Sequence, residues 1–83
     1  MEDPVLAGLA EIWADLLGIA DPGPDSDFFG LGGTSIKAMH LVAALQKRFG
    51  VRLRIVTVFN CSSFAGLAAQ ITGLIAANDG VDG

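Results

Sequence analysis

The chain has 83 residues, of which 52% are hydrophobic and 17% charged, and its formal net charge is −4. A chain of this size and composition forms one small globular domain with little room for a buried active-site cleft, which argues against a self-sufficient enzyme. Seven of the nine acidic residues lie within residues 1–27, whereas all five basic residues lie between positions 37 and 54. Five bases on an acidic chain make a poor nucleic-acid surface, so we expect no nucleic-acid partner.

Cysteine usage and hydropathy bear on location. A single cysteine excludes an internal disulfide framework and favours a reducing compartment. No apolar run approaches the roughly 18 residues of a membrane span. The opening residues, "MEDPV", are acidic, unlike the basic start of a signal peptide. We therefore expect a cytoplasmic monomer with no membrane partner.

A first helix is predicted near residues 4–17. Asp3 is a capping carboxylate, Pro4 suits the first helical position, and Gly18 provides a C-terminal stop. The apolar residues recur at helical spacing. They are Val5, Leu9, Ile12, Trp13, Leu16 and Leu17.

Residues 18–34 form a loop that is long for a chain of this size. The segment contains five of the eleven glycines and two of the three prolines. Long loops are usually functional or disordered. Phe28, Phe29 and Leu31 argue for order, because burying such side chains contributes about 1.5–3 kcal/mol each. The sequence thus predicts a long loop that is anchored to the core.

Three further helices are predicted. The second runs from about 35 to 49 and ends at Gly50, and its core face contains Ala38, Leu41, Val42, Leu45 and Phe49. "VRLRI", 51–55, alternates like a strand but has no partner, so we expect it to be extended. A short third helix is expected near 55–60. Ser62 or Ser63 caps the fourth, whose apolar face contains Phe64, Leu67, Ala68, Ile71, Leu74 and Ile75.

The predicted fold is therefore all-α: a small four-helix bundle with three main helices, one short helix and a long loop between the first two. The chain is expected to be a single domain, 1–83, with a core of about 4–77 and a frayed tail at 78–83.

Two large apolar residues of the second helix lie off its core face. Ile36 and Met39 point more than a quarter turn from the centre of that face, and the small Ala43 lies between them in direction. Either the loop or the third helix covers them, or they stay exposed and contact partner proteins. An adaptable methionine suits a surface that meets several partners.

Ser35 opens the second helix behind Gly32, Gly33 and Thr34. Glycines permit positive φ and leave the approach to the serine open, and a helix N-terminus favours an anionic phosphate. His40, the only histidine, points about 140° away around the helix, so no Ser–His pair forms. His40 and Cys61 are lone potential ligands, and we expect no metal site. Ser35 is then either a substrate for another enzyme or a plain helix cap.

The stretch "DFFGLGGTSIKAMHLVAALQKRFGVRL", continued by "VFNCSSFAGLAAQI", resembles the carrier-protein family. It is most similar to the peptidyl carrier (thiolation) domains of non-ribosomal peptide synthesis, over about residues 4–77. The resemblance implies a helix bundle that bears 4′-phosphopantetheine on Ser35, beside Gly33 and Thr34. A separate phosphopantetheinyl transferase supplies the catalysis, so the carrier itself is not an enzyme.

The resemblance also implies partners and cargo. The arm's thiol carries aminoacyl or peptidyl thioesters among adenylation, condensation, thioesterase or tailoring enzymes. Partner contacts are implied at Ile36 and at nearby positions of the second and third helices, for which Met39, Val58 and Phe59 are the matching candidates; Ala43 is chosen by direction alone. Thr34 replaces the family's usual Asp or His, which bears on the choice of transferase.

Two alternatives remain open. The first alternative is an acyl carrier for polyketide-type chemistry, and the second is an unmodified helical interaction module. The absence of acids in the second helix favours the peptidyl type, since fatty-acid-type carriers have an acidic second helix. The Met1 start favours a free-standing carrier, although a domain excised from a larger synthetase would look the same.

Overall fold

The computed structural model describes residues 3–19 and 21–80, with the side chains of 78–80 left aside. It contains four α-helices: α1, Pro4–Leu17; α2, Ser35–Phe49; α3, Ile55–Asn60; and α4, Phe64–Gly80. No strand occurs in these ranges. Residues 51–54 of the predicted extended segment lie outside any helix, whereas its last residue, Ile55, begins α3. An isolated antiparallel bridge joins Asp27 to Ser63.

The ends of α1 and α2 are set by local sequence. The Asp3 side chain accepts a hydrogen bond from the Val5 N–H at 2.9 Å, and Gly18 ends α1 in the left-handed conformation. Gly50 ends α2 in the same way, after Lys47 and Arg48 in the last turn. The predicted bounds of both helices are confirmed.

The fourth helix begins and ends as follows. Ser63, one of the two predicted caps, accepts a hydrogen bond from the Gly66 N–H at 3.0 Å, so the alternative Ser62 is not the cap. The helix continues through Gly80, and the predicted frayed tail over 78–83 stays a prediction. Residues 81–83 lie outside the described residues.

The core lies between α1, α2 and α4. Trp13 is fully buried, with the rings of Phe28 and Phe64 packed edge-on against it at centroid distances of 5.5 and 5.2 Å. The predicted faces of the three long helices supply most of the remaining core. Its buried helical residues include Val5, Leu9, Ile12, Ala38, Leu41, Val42, Leu45, Leu67, Ala68 and Ile71.

The loop between α1 and α2 is anchored, as predicted, but by fewer residues than expected. Phe28 is fully buried and Phe29 packs against the core, whereas Leu31 is exposed. Backbone hydrogen bonds join the loop to the start of α4: Phe28 N–H donates to the Ser62 carbonyl, and Phe64 N–H donates to the Ser26 carbonyl, both at 2.8 Å. Residues 26–28 of the loop are therefore fixed both by the buried Phe28 ring and by backbone hydrogen bonds to residues 62 and 64.

The helices in the described part of the chain are too short or too polar to cross a membrane.

Candidate functional site

Ser35 is the first residue of α2, and its side chain is exposed. The preceding residue caps the helix: the Thr34 hydroxyl accepts a hydrogen bond from the Lys37 N–H at 3.1 Å, and Thr34 has extended backbone. The alternative of Ser35 as a plain cap is therefore wrong, since Thr34 does that work. Within residues 3–19 and 21–80, the Ser35 hydroxyl makes no hydrogen bond.

The backbone around Ser35 presents free donors. In the described ranges no acceptor meets the N–H groups of Ser35 and Ile36, as is usual in the first turn of a helix. These groups and the positive end of the helix dipole favour an anion beside the serine. The hydroxyl is thus presented to solvent where a phosphate would be stabilised.

Gly32 and Gly33 are glycine for different structural reasons. Gly32 has a φ of 104°, which a side chain would strain, so the predicted positive φ is confirmed there. Gly33 has no positive φ. A Cβ at Gly33 would lie 2.6 Å from the Phe28 carbonyl oxygen and would also overlap the Phe28 ring. Gly33 is glycine because the loop folds tightly over Phe28.

A carboxylate holds the loop upstream of Ser35. Asp27 accepts hydrogen bonds from the Ser62 hydroxyl and from the Gly30 N–H, the latter at 2.8 Å. The Ser62 hydrogen bond, followed by that from Gly30, holds the pKa of Asp27 below its ordinary value. Because Asp27 and Ser62 are 35 residues apart, helix periodicity could not reveal this contact.

The candidate partner residues separate into exposed and buried positions. Ile36 is 68% exposed, Met39 61% and Phe59 50%, and Ala43 is also exposed. Val58 is fully buried in the core, so its place among the contact candidates is corrected. In a helix of six residues, Val58 turns inward while the next side chain turns outward.

The remaining sequence candidates lie on different elements of the fold. His40 is exposed, as predicted, and Cys61 is a half-buried free thiol at the end of α3. In the described part of the chain, no three His, Cys, Asp or Glu side chains come together as a metal site would require.

A groove beside Ser35 was not predicted. It has a volume of about 430 Å³ and is lined by Ser35, Met39, Val42, Ala43, Gln46, Ile55 and Phe59. Helical register could have indicated its α2 side, since Ser35, Met39 and Gln46 recur at spacings of four and seven. Its α3 side depends on how α3 packs.

The family model described as "Phosphopantetheine attachment site" matches residues 7–71. The chain belongs to this phosphopantetheine attachment-site family. It is a carrier domain, and the resemblance stated from the stretch that begins "DFFGLGGTSIKAM" is confirmed. The all-α fold expected of the family is confirmed as well.

Relatives of this carrier domain include large synthetases. It is 39% identical over 70 residues to phosphinothricin tripeptide synthetase PhsC of Streptomyces viridochromogenes, covering 84% of this chain and 6% of PhsC. It is 44% identical over 65 residues to tyrocidine synthase 3 of Brevibacillus parabrevis, covering 78% of this chain and 1% of that protein. The chain thus spans a small fraction of either synthetase.

A solved structure shares the fold. The match is to a chain in the structure of the phosphopantetheine transferase Sfp in complex with coenzyme A and a peptidyl carrier protein. The TM-score is 0.80 at 30% sequence identity, and the match covers 88% of this carrier domain and 95% of that chain.

Proposed function

We propose that Ser35 carries 4′-phosphopantetheine, joined through its Oγ, and that the domain moves aminoacyl or peptidyl thioesters between enzymes of non-ribosomal peptide synthesis. One observation carries the proposal: in a member of the attachment-site family, Ser35 has an exposed hydroxyl that no described residue binds. When bound, the group supplies a thiol on a long tether.

The residues around Ser35 fit such a group. The N–H groups of Ser35 and Ile36 and the end of the α2 dipole stabilise a phosphodiester at the Oγ. Gly32 leaves open space, since no atom lies within 4 Å of the position its Cβ would take. The Thr34 hydroxyl is engaged in capping, so Thr34 and Gly33 act by placing Ser35.

The loading reaction requires a second protein. Ser35 Oγ forms a bond to the phosphorus of the pantetheine phosphate of coenzyme A, the bond from that phosphorus to the adenosine bisphosphate breaks, and the hydroxyl proton passes to a base. In the described part of the chain no side chain accepts a hydrogen bond from Ser35. A phosphopantetheinyl transferase therefore supplies the base, and the domain acts as a non-catalytic carrier.

The peptidyl class and its partners are part of the proposal. The likeness to PhsC and tyrocidine synthase 3 supports adenylation, condensation, thioesterase or tailoring enzymes as partners. Ile36, Met39, Ala43 and Phe59 form the exposed apolar surface for those contacts. The thiol of Cys61 is free, which supports a reducing, cytosolic location. We also propose that residues 1–83 form a single domain.

Intact-mass measurement tests the attachment. Incubation with coenzyme A and a broad-specificity transferase should add the mass of one phosphopantetheine group to the wild-type chain. Ser35→Ala should gain none, whereas Thr72→Ala, which removes an exposed hydroxyl from α4, should load like wild type. Circular dichroism of Ser35→Ala should show the native helix content. A folded wild-type chain that gains no mass, or a Ser35→Ala variant that does, overturns the proposal.

A further inference from the structure

A second cleft lies between the start of α1, the loop that follows α1 and the start of α4. We call it the α1–α4 cleft, and its lining includes Asp3, Leu6, Ala7, Ala10, Asp21 and Phe64. Its volume of about 400 Å³ lies in the range of small-molecule pockets, about 300–1,000 Å³. The cleft shares no lining residue with the groove beside Ser35.

The apolar wall of the cleft is formed before anything binds in it. Leu6 and Ala10 are four residues apart, so they lie on one face of α1, and the small Ala10 side chain leaves depth beside Leu6. The Phe64 ring packs edge-on against the buried Trp13, with centroids 5.2 Å apart. Leu6 is 40% exposed, whereas the nearby Leu9 is fully buried. Leu6 is therefore the apolar side chain that the cleft offers to a partner.

Two carboxylates give the cleft its charge. One oxygen of Asp3 accepts the hydrogen bond from the Val5 N–H. No described residue donates to its other oxygen or to the Asp21 carboxylate. Residues 1–36 contain no lysine, arginine or histidine, and no basic side chain of the described residues lines the cleft. The cleft therefore combines an apolar wall with unpaired negative charge, and its complement is a large apolar side chain beside a lysine or arginine.

The cleft lies at the end of the bundle away from Ser35. Gly8, in the same turn of α1 as Leu6, lies against the ring of Phe49, the last residue of α2. Ser35 is the first residue of α2, fourteen residues earlier, and a rise of 1.5 Å per residue separates the two ends by about 21 Å. A protein bound in the cleft therefore leaves Ser35 free.

We infer that the α1–α4 cleft is a second docking site of the domain, which binds a segment of a partner protein that presents a lysine or arginine beside a large apolar side chain. The apolar side chain packs on Leu6 and Phe64, and the cation pairs with Asp21 and the free oxygen of Asp3. The site does not depend on the attachment proposed at Ser35. It keeps the domain on one protein while Ser35 stays accessible to another.

A peptide titration tests the cleft. The probe is the synthetic peptide acetyl-Arg-Leu-Arg-Leu-amide, added to the unloaded, isotope-labelled domain and followed by nuclear magnetic resonance. The control peptides carry Glu in place of Arg, or Ser in place of Leu. The probe should shift the backbone amide resonances of Leu6, Ala7, Ala10 and Asp21 in a saturable way, and neither control peptide should do so.

Matched variants assign the binding to the side chains of the cleft. Asp21→Asn removes a lining carboxylate, and Asp25→Asn makes the same change at an exposed position outside the lining. Leu6→Ser removes the apolar contact, and Leu31→Ser is its control, because the two leucines are 40% and 39% exposed. The Kd of the probe should rise about two- to fivefold in Asp21→Asn and about fivefold or more in Leu6→Ser. Both controls should keep the wild-type Kd, and circular dichroism should show that all four variants are folded.

A loading assay separates this inference from the attachment at Ser35. At saturating probe, the transferase should load wild type as fast as it loads Leu6→Ser, as measured by intact mass. Slower loading of wild type would mean that the bound probe obstructs Ser35, and this overturns the inference. Failure of wild type to load without probe overturns only the attachment.

The remaining outcomes also decide the docking site. Equal binding of either control peptide overturns it, as does an unchanged Kd in both Leu6→Ser and Asp21→Asn. Shifts of the cleft resonances that grow with protein concentration in the absence of probe assign the cleft to a second copy of the chain, and this too overturns the inference.

Discussion

The segments before and after Ser35 are built in opposite ways. In residues 26–34, Phe28 is buried in the core, Asp27 accepts a hydrogen bond from Ser62 just before α4, and Gly33 has no space for a side chain. After Ser35, the outward face of α2 carries large apolar side chains, Ile36 and Met39, that are more than half exposed.

This difference fits the modification that we propose at Ser35. A serine that another protein must reach needs a fixed position, which the packed segment before it provides. The same partner protein needs apolar surface to bind, and the exposed apolar side chains of α2 that follow Ser35 provide it. Substitutions in the packed segment, residues 26–34, should therefore mainly lower stability. Substitutions in the bare surface, formed by the exposed Ile36 and Met39 side chains of α2, should mainly weaken binding.

The largest expected effect is that of Phe28→Ala. Removing a fully buried ring that contacts Trp13 and Phe29 should lower the free energy of unfolding by about 3–5 kcal/mol. Phe59→Ala should cost about 0.5–1.5 kcal/mol, because Phe59 is half exposed and loses mainly its stack on Phe29. Urea denaturation followed by circular dichroism measures both, and equal losses would contradict the comparison.

Gly33→Ala is the next largest. The new methyl group would collide with the carbonyl oxygen and ring of Phe28, and such overpacking should cost about 1–3 kcal/mol. Gly73→Ala is the matched control, because no atom lies within 4 Å of its Cβ position in α4, and it should stabilise by up to about 1 kcal/mol. Thermal melts should move in opposite directions; a stabilised Gly33→Ala would refute the role assigned to the tight loop.

Acid should weaken the packed segment through Asp27. Because hydrogen bonds from Ser62 and Gly30 lower the pKa of folded Asp27, its stabilisation is complete above the ordinary pKa of about 3.8 and is lost as pH falls through the lower folded pKa. Asp27→Asn and Ser62→Ala should make the decline of unfolding free energy below about pH 4 shallower. Ser26→Ala should keep the wild-type pH dependence, since Ser26 bonds instead to the Gly23 N–H.

The smallest effect on stability is expected on the bare surface. Ile36→Ala and Met39→Ala should each change the free energy of unfolding by no more than about 0.5 kcal/mol, because both side chains are mostly exposed. The same variants should weaken binding to the transferase, measured by calorimetry. A melting temperature that falls as far as in Gly33→Ala would show that this surface belongs to the core.

The position of Ser35 could be predicted from sequence, whereas its surroundings were only partly predictable. Glycine stops, the Asp3 cap and the apolar spacing are local features, so they locate α1 and α2 to the residue. The groove combines α2 with α3, and the Asp27–Ser62 hydrogen bond joins distant residues. No local pattern contains such contacts.

The sequence by itself determined the four helices, the anchored loop and the serine at the start of α2, because caps, glycines and periodicity act over a few residues. Only the tertiary structure decided that Val58 turns inward and Phe59 outward, and that Leu31 stays exposed beside the buried Phe28. A helix of six residues is too short for periodicity to orient it. The orientation of α3 is set by the side chains that pack against it, here Phe29 of the loop between α1 and α2, which stacks on Phe59. These two residues are far apart in the chain.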